Sequence, residues 1–158
     1  MSGMRSEPHI RFLCDQNLGK LAKWLRILGY DVEYMSHWDD KRVAQAIAGD
    51  QTVLTRKIMS DYREHMVFIR SDHVQEQIQE LFRMLDIKEI GEPFTRCSLC
   101  NTLLEDVSKD SVKGLVPDYV ENTNKYFARC PSCRRIYWKG THLSKADDLI
   151  HQLHEEKR

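Results

Sequence analysis

The chain has 158 residues, with 24 Lys plus Arg against 24 Asp plus Glu, and is 41% hydrophobic and 30% charged. That length admits one full core and a small appendage, and the apolar content excludes a disordered chain. Balanced charge excludes a surface that attracts polyanions at long range, so any nucleic-acid site must be a local basic patch; no stretch approaches the ~18 apolar residues that cross a membrane.

The N-terminus, Met1 to His9, is polar with no apolar run behind it, which predicts a cytoplasmic protein. Ile10 to Cys14 is a short apolar run suited to a buried strand, cut off at Asp15-Gln16-Asn17. Leu18, Leu21, Ala22, Leu25 and Leu28 then recur at helical spacing, with Lys20, Lys23 and Arg26 on another face and Gly29 as a stop. Asp31 to Met35 predicts a second strand. Asp39 or Asp40 caps a helix through Val43, Ala44 and Ile47, which Gly49 ends.

Gln51 to Thr55 predicts a third strand and Met66 to Ile69 a fourth. Val74, Ile78, Leu81, Phe82 and Leu85 mark a longer helix, for which Asp72 is the expected cap. Strand and helix alternate, and parallel strands need crossovers, so residues 8–90 are expected to form an α/β unit whose parallel sheet is covered by helices on both faces. Ile90-Gly91-Glu92-Pro93 breaks the pattern. Residues 94–158 then form a small second unit that closes with a helix from Ser144 through Ala146, Leu149, Ile150 and Leu153.

Cys97-Ser98-Leu99-Cys100 and Cys130-Pro131-Ser132-Cys133 are two CxxC pairs separated by 29 residues, 101–129. Each pair sets two thiolates on one side of a tight turn, and together they make the closed four-cysteine set of a structural zinc ribbon. Four thiolates leave no open position for catalysis. The residues between them, including Leu103-Leu104 and the turn near Val116-Pro117-Asp118, are expected to form the ribbon's hairpins. Cys14, inside the first strand, is expected to be a buried thiol.

Sites in open parallel sheets lie beyond the carboxyl ends of the strands. Asp15 follows strand one, Asp39 and Asp40 strand two, Asp61 strand three and Asp72 strand four. If these acids converge, magnesium or manganese between them would activate water against a phosphodiester. Each also has a local alternative: Asp39, Asp40 and Asp72 as helix caps, Asp61 as a solvated loop residue. Lys20, Lys23 and Arg26 flank Asp15, either as phosphate contacts or as a solvated helix face. Beyond the second knuckle, Arg134, Arg135, Trp138, Lys139 and His142 interleave cations and aromatics, a pattern that suits RNA phosphates and stacked bases and equally suits alternation along a strand.

The segment Phe12-Leu13-Cys14-Asp15 followed by Leu18-Gly19-Lys20-Leu21-Ala22-Lys23-Trp24-Leu25-Arg26-Ile27-Leu28-Gly29-Tyr30-Asp31 closely resembles the opening of the Mut-seven-C RNase family. Val53-Leu54-Thr55-Arg56, Arg96 to Asn101, and Cys130 to Cys133 with Tyr137 to His142 resemble its later motifs in order. The resemblance implies a PIN-like nuclease domain fused to a zinc ribbon, and a metal-dependent ribonuclease, of the endoribonuclease type, with Asp15 among the acidic ligands. The family usually carries an Asp directly after the Leu-Thr-Arg segment, where this chain has Lys57, and a cation does not ligate magnesium. Either Asp61, four residues on, stands in for that Asp, or Lys57 takes the metal's place beside Asp15 and the protein holds RNA without cutting it.

Three functions follow as expectations. In the first, Asp15 with Asp39 or Asp40 binds magnesium or manganese, and Lys20, Arg26 and Arg56 steady phosphates while RNA is hydrolysed. The second is a catalytically degenerate RNA-binding module, and the third a protein-interaction adaptor built on the ribbon. RNA is the expected partner, no membrane is involved, and a homodimer is possible by analogy with related folds.

Overall fold

The computed structural model describes residues 10–57, 65–88, 90, 92–138, 147–152 and 155. Its first strand, β1 (Arg11–Cys14), has Phe12, Leu13 and Cys14 fully buried, and they face opposite ways because strand side chains alternate. Phe12 and Cys14 enter one apolar cluster, and Leu13 enters another. Both faces of the strand are therefore covered, as its unbroken apolar run requires.

A 3-10 turn (Gln16–Leu18) leads into α1 (Gly19–Ile27), and then come β2 (Asp31–Tyr34), α2 (Asp40–Ala48), β3 (Thr52–Thr55), β4 (Met66–Phe68) and α3 (Val74–Met84). The strands form a four-stranded sheet of order β2-β1-β3-β4, with each pair parallel. On one face, Leu21, Ala22 and Leu25 of α1 and Ile78, Leu81 and Phe82 of α3 pack on Phe12, Val32, Leu54 and Val67. On the other, Val43 and Ala46 of α2 pack on Leu13, Val53 and Met66. Fully burying one such side chain contributes about 1.5–3 kcal/mol.

Two local expectations change. The buried stripe of α2 is Val43, Ala46 and Ile47, not Ala44, which is exposed; the i, i+3, i+4 spacing counted from Val43 selects 46 and 47. His73, not Asp72, is the N-cap of α3, and it makes no side-chain cap bond. Ser71 Oγ accepts from His73 N at 3.1 Å, the Glu80 carboxylate accepts from Arg70 N at 3.1 Å, and Asp72 lies beside the His73 ring.

The second unit carries an antiparallel sheet of order β5-β6-β7: β5 (Glu105–Val107), β6 (Phe127–Arg129) and β7 (Ile136–Tyr137). The turn expected at Val116-Pro117-Asp118 instead opens a short helix, α4 (Asp118–Thr123), with Pro117 as its N-cap. Proline suits a helix start because its fixed φ costs no hydrogen bond there. Val112, Val116, Val120 and Phe127 form this unit's own small core.

The closing helical segment, 147–152, does not pack on that core. Leu149 and Ile150 join the cluster of α1 and α3, so the helix assigned by sequence to the ribbon contributes to the α/β core. Its expected start, Ser144 and Ala146, and Leu153 lie outside the described residues. Among the described residues, no helix is long and apolar enough to cross a membrane.

Gly29 joins the two units closely. Its φ is +100°, and a Cβ placed there would lie 2.3 Å from the Glu92 carbonyl oxygen, while Phe94 N donates to Ile27 O at 2.8 Å. Gly29→Ala therefore combines left-handed strain with a backbone clash, and it should lower stability by about 2–4 kcal/mol in urea unfolding, with the midpoint falling and the slope unchanged.

Candidate active site and metal centre

The sheet order reverses between β1 and β3, since β1 is followed by β2 on one side and β3 lies on the other. Such a reversal point is the usual position of a site in a parallel sheet of this kind. Asp15 stands at that point with 1% of its surface exposed. A buried carboxylate is costly unless donors surround it, and this one has three. Asn17 N donates to Oδ1 at 2.9 Å, Arg56 N donates to Oδ2 at 3.2 Å, and the hydroxyl of the buried Thr55 donates to Oδ2. The chain after β1 and the chain after β3 thus meet on one side chain, and Asp15 also caps the 3-10 turn.

The neighbouring acids are engaged locally. Asp39 is the N-cap of α2, accepting from Lys41 N at 3.0 Å and Arg42 N at 3.3 Å. Asp40 accepts from the Trp38 indole N–H at 2.8 Å. Lys57 does not pair with Asp15: its backbone N–H donates to Thr55 Oγ1 at 2.9 Å and its ammonium stands 5.3 Å from the centroid of the Trp38 ring. Asp61 lies outside the described residues. Among the described residues, Asp15, Asp39 and Asp40 are not part of a group of three or more metal-ligand side chains. Asp39 and Asp40 thus serve their own segment, one in capping and the other in an indole bond.

The four cysteines do converge. The sulfurs of Cys97, Cys100, Cys130 and Cys133 all lie within 4.8 Å of one another, and Cys97 and Cys133 are 3.7 Å apart. A tetrahedral zinc with sulfurs at about 2.3 Å has sulfur–sulfur edges of about 3.8 Å, so the set fits that ion. The two knuckles share one geometry. Cys100 N and Cys133 N each point to the first sulfur of their own pair at 3.4 Å, and Asn101 N and Arg134 N donate to Cys97 O and Cys130 O at 2.9 Å. Asn101 and Arg134 both take positive φ, 66° and 70°. Burial opposes ionisation of Cys97, yet hydrogen bonds from the Tyr137 hydroxyl and from backbone N–H groups bring its thiol down to about 7, the state a metal ligand needs. Burial, reinforced by Asp15, pushes the Cys14 thiol far up, so it is an inert core group.

The first knuckle is docked on the edge strand β2. Asn101 Oδ1 accepts from Val32 N at 2.9 Å, and its amide donates to Asp31 Oδ1 at 2.7 Å. Arg26, expected on an RNA-facing surface, is half-buried in this contact: Nε donates to Val32 O at 2.8 Å, and one terminal nitrogen donates to Ser98 O and Leu99 O at 3.0 and 3.1 Å. It positions the ribbon and is not free for a phosphate.

Lys20 and Lys23 on α1 are exposed, as are Arg134, Arg135 and Trp138, while Ile136 packs against the ribbon core. Arg56 is exposed and its side chain donates to Arg70 O at 3.3 Å. Lys139 and His142 lie outside the described residues.

The family model described as "Mut7-C RNAse domain" matches residues 10–150, from β1 to the closing helix. The chain belongs to the Mut7-C RNase domain family. Comparison with curated proteins and with solved structures found no match.

Within this Mut7-C RNase domain, Thr55, Trp38, Asn101 and Tyr137 carry parts of the two centres that sequence reasoning left without a role. Thr55 had one usable signal, a polar residue at the inward end of an apolar strand. Thr55→Val removes one donor from a buried carboxylate and should cost roughly 1–3 kcal/mol by denaturant unfolding. Zinc should bind at one ion per chain. Its removal by a chelator should lower the calorimetric midpoint of the whole chain as one transition, because the knuckle is bonded to β2 and α1; a separate ribbon transition that leaves the main one unmoved would refute that coupling.

Proposed function

We propose that this protein is a ribonuclease-type protein that engages RNA at the carboxyl edge of its parallel sheet, with Asp15 as the residue on which phosphodiester hydrolysis depends. The observation that carries this reading is the burial of that one carboxylate at the point where the strand order reverses, in a chain belonging to an RNase family. Exposed Lys20, Lys23, Arg56 and Lys57 lie on the elements around it and supply positive charge for the phosphates. Arg134, Arg135 and Trp138 extend the same chemistry onto the ribbon.

Magnesium or manganese, the ion such hydrolysis would use, is not fitted by the described carboxylates. Asp15 has donors on both oxygens, and Asp39 and Asp40 are occupied in capping and in the indole bond. This observation favours a second reading, an RNA-holding module that does not cut, in which the Lys57 ammonium over Trp38 adds a cation where hydrolysis would need another acid.

A labelled single-stranded RNA incubated with zinc-loaded protein separates the two. Added manganese, compared with no added divalent ion, avoids a chelator that would also strip zinc. The hydrolase reading expects manganese-dependent cleavage, lost at least 100-fold in Asp15→Asn, and increased in Lys57→Asp. Intact RNA with the wild-type chain, together with binding that weakens steeply with salt, selects the holding module.

A further inference from the structure

The two knuckles are alike in backbone and unlike in what their sulfurs receive. Cys100 N points to Cys97 Sγ and Cys133 N to Cys130 Sγ, both at 3.4 Å. Among the described residues, Cys97 Sγ alone of the four sulfurs also has a hydroxyl beside it, that of Tyr137 at 2.9 Å. Tyr137 reaches the sulfur because strand side chains alternate: Ile136, its neighbour in β7, packs against the ribbon core, and Tyr137 takes the other side.

The hydroxyl meets three groups there. Ser98 N donates to it at 3.2 Å, Ser98 Oγ lies 3.4 Å away, and the third is Cys97 Sγ. A metal-bound cysteine is a thiolate with no proton to give, so the phenol proton goes to Cys97 and the phenol oxygen accepts from Ser98. Tyr137 follows the second knuckle, and Cys97 and Ser98 open the first, so one hydroxyl ties one cysteine pair to the strand that leads out of the other. Apart from the approach of Cys97 Sγ to Cys133 Sγ, the side-chain hydrogen bonds between these two segments among the described residues all come from that hydroxyl. The first knuckle needs such a tie because it stands outside the sheet β5-β6-β7, its own hairpin closing at the isolated Arg96–Leu103 bridge.

Four thiolates around one divalent cation carry more negative charge than the ion cancels, and a part-buried excess of charge is stabilised by donors aimed at the sulfurs. We propose that Tyr137 is a positioning residue of the metal centre: its hydroxyl offsets charge at Cys97 and latches the two cysteine pairs together, and so sets how tightly the ribbon keeps its zinc. The residue is not itself a ligand, since the cysteines already close the set. This role is independent of any RNA chemistry at Asp15.

The test compares full-length wild type with Tyr137→Phe and, as a control, Tyr126→Phe, each loaded with zinc and titrated with a chromogenic chelator. Tyr137→Phe keeps the ring and loses only the hydroxyl, and should bind zinc about 10–100-fold more weakly. Tyr126 is 76% exposed, and its variant should match wild type. In the cobalt-substituted chain, loss of the hydrogen bond raises the energy of the sulfur lone pair, so the sulfur-to-cobalt charge-transfer band of Tyr137→Phe should move to longer wavelength. Loss of packing alone does not move that band. Fluorotyrosine placed at Tyr137 keeps the hydroxyl as a stronger donor and should move the band to shorter wavelength, which keeps the test decisive if Tyr137→Phe does not fold. Wild-type zinc affinity in Tyr137→Phe, or a band that stays in place in the folded variants, overturns the role. A wild-type chain that takes up no zinc overturns the metal centre with it.

Discussion

A carboxylate out of contact with water must be matched by donors, and that requirement organises the carboxyl edge of the parallel sheet. Asp15 takes one donor from its own turn, at Asn17, and two from the end of β3, at Thr55 and Arg56. Asp15 N also donates to Leu54 O at 3.1 Å, so the two central strands are tied together where their loops separate. The same side chain that makes this point of the sheet polar ties the segment after β1 to the end of β3. A change at Asp15 therefore acts on stability whatever else it does, since it leaves the donors of Thr55 and Arg56 without an acceptor.

The ribbon depends on a second constraint, the exposed edge of β2. An edge strand has backbone groups without a sheet neighbour, and proteins cover such edges. Here the first cysteine knuckle does so, through Asn101 and Arg26. Burial lowers the tendency of the Arg26 guanidinium to remain charged, and the nearby cysteines and Asp31 offset part of that loss. A metal-binding unit that caps the sheet of its neighbour bonds together two units that look separable in sequence. The closing helix adds to this by returning Leu149 to the core between α1 and α3.

The strands, helices and zinc ligands were legible because each is set by short-range pattern. Apolar runs and their alternation marked β1 and β3, helical spacing marked α1 and α3, and the two CxxC pairs named their own chemistry. Asp15 was legible for a similar reason, as the polar residue that ends a buried run. What failed were choices among equivalent neighbours: Asp72 against His73 as a cap, Ala44 against Ala46 as a buried position, a turn against a helix at Pro117. These depend on where the helix axis points, which a pattern of residue types does not specify.

By itself, the sequence determined the four cysteine ligands, the parallel α/β architecture and the acid at the end of the first strand, since spacing and burial periodicity act over a few residues. Only the tertiary structure decided the partners. It set Thr55 on Asp15, Lys57 on Trp38 instead of on a carboxylate, and Arg26 on the carbonyls of Ser98 and Leu99. Those contacts join residues 19 to 73 positions apart along the chain, and the loop that closes each one is fixed by packing elsewhere and not by the residues that meet.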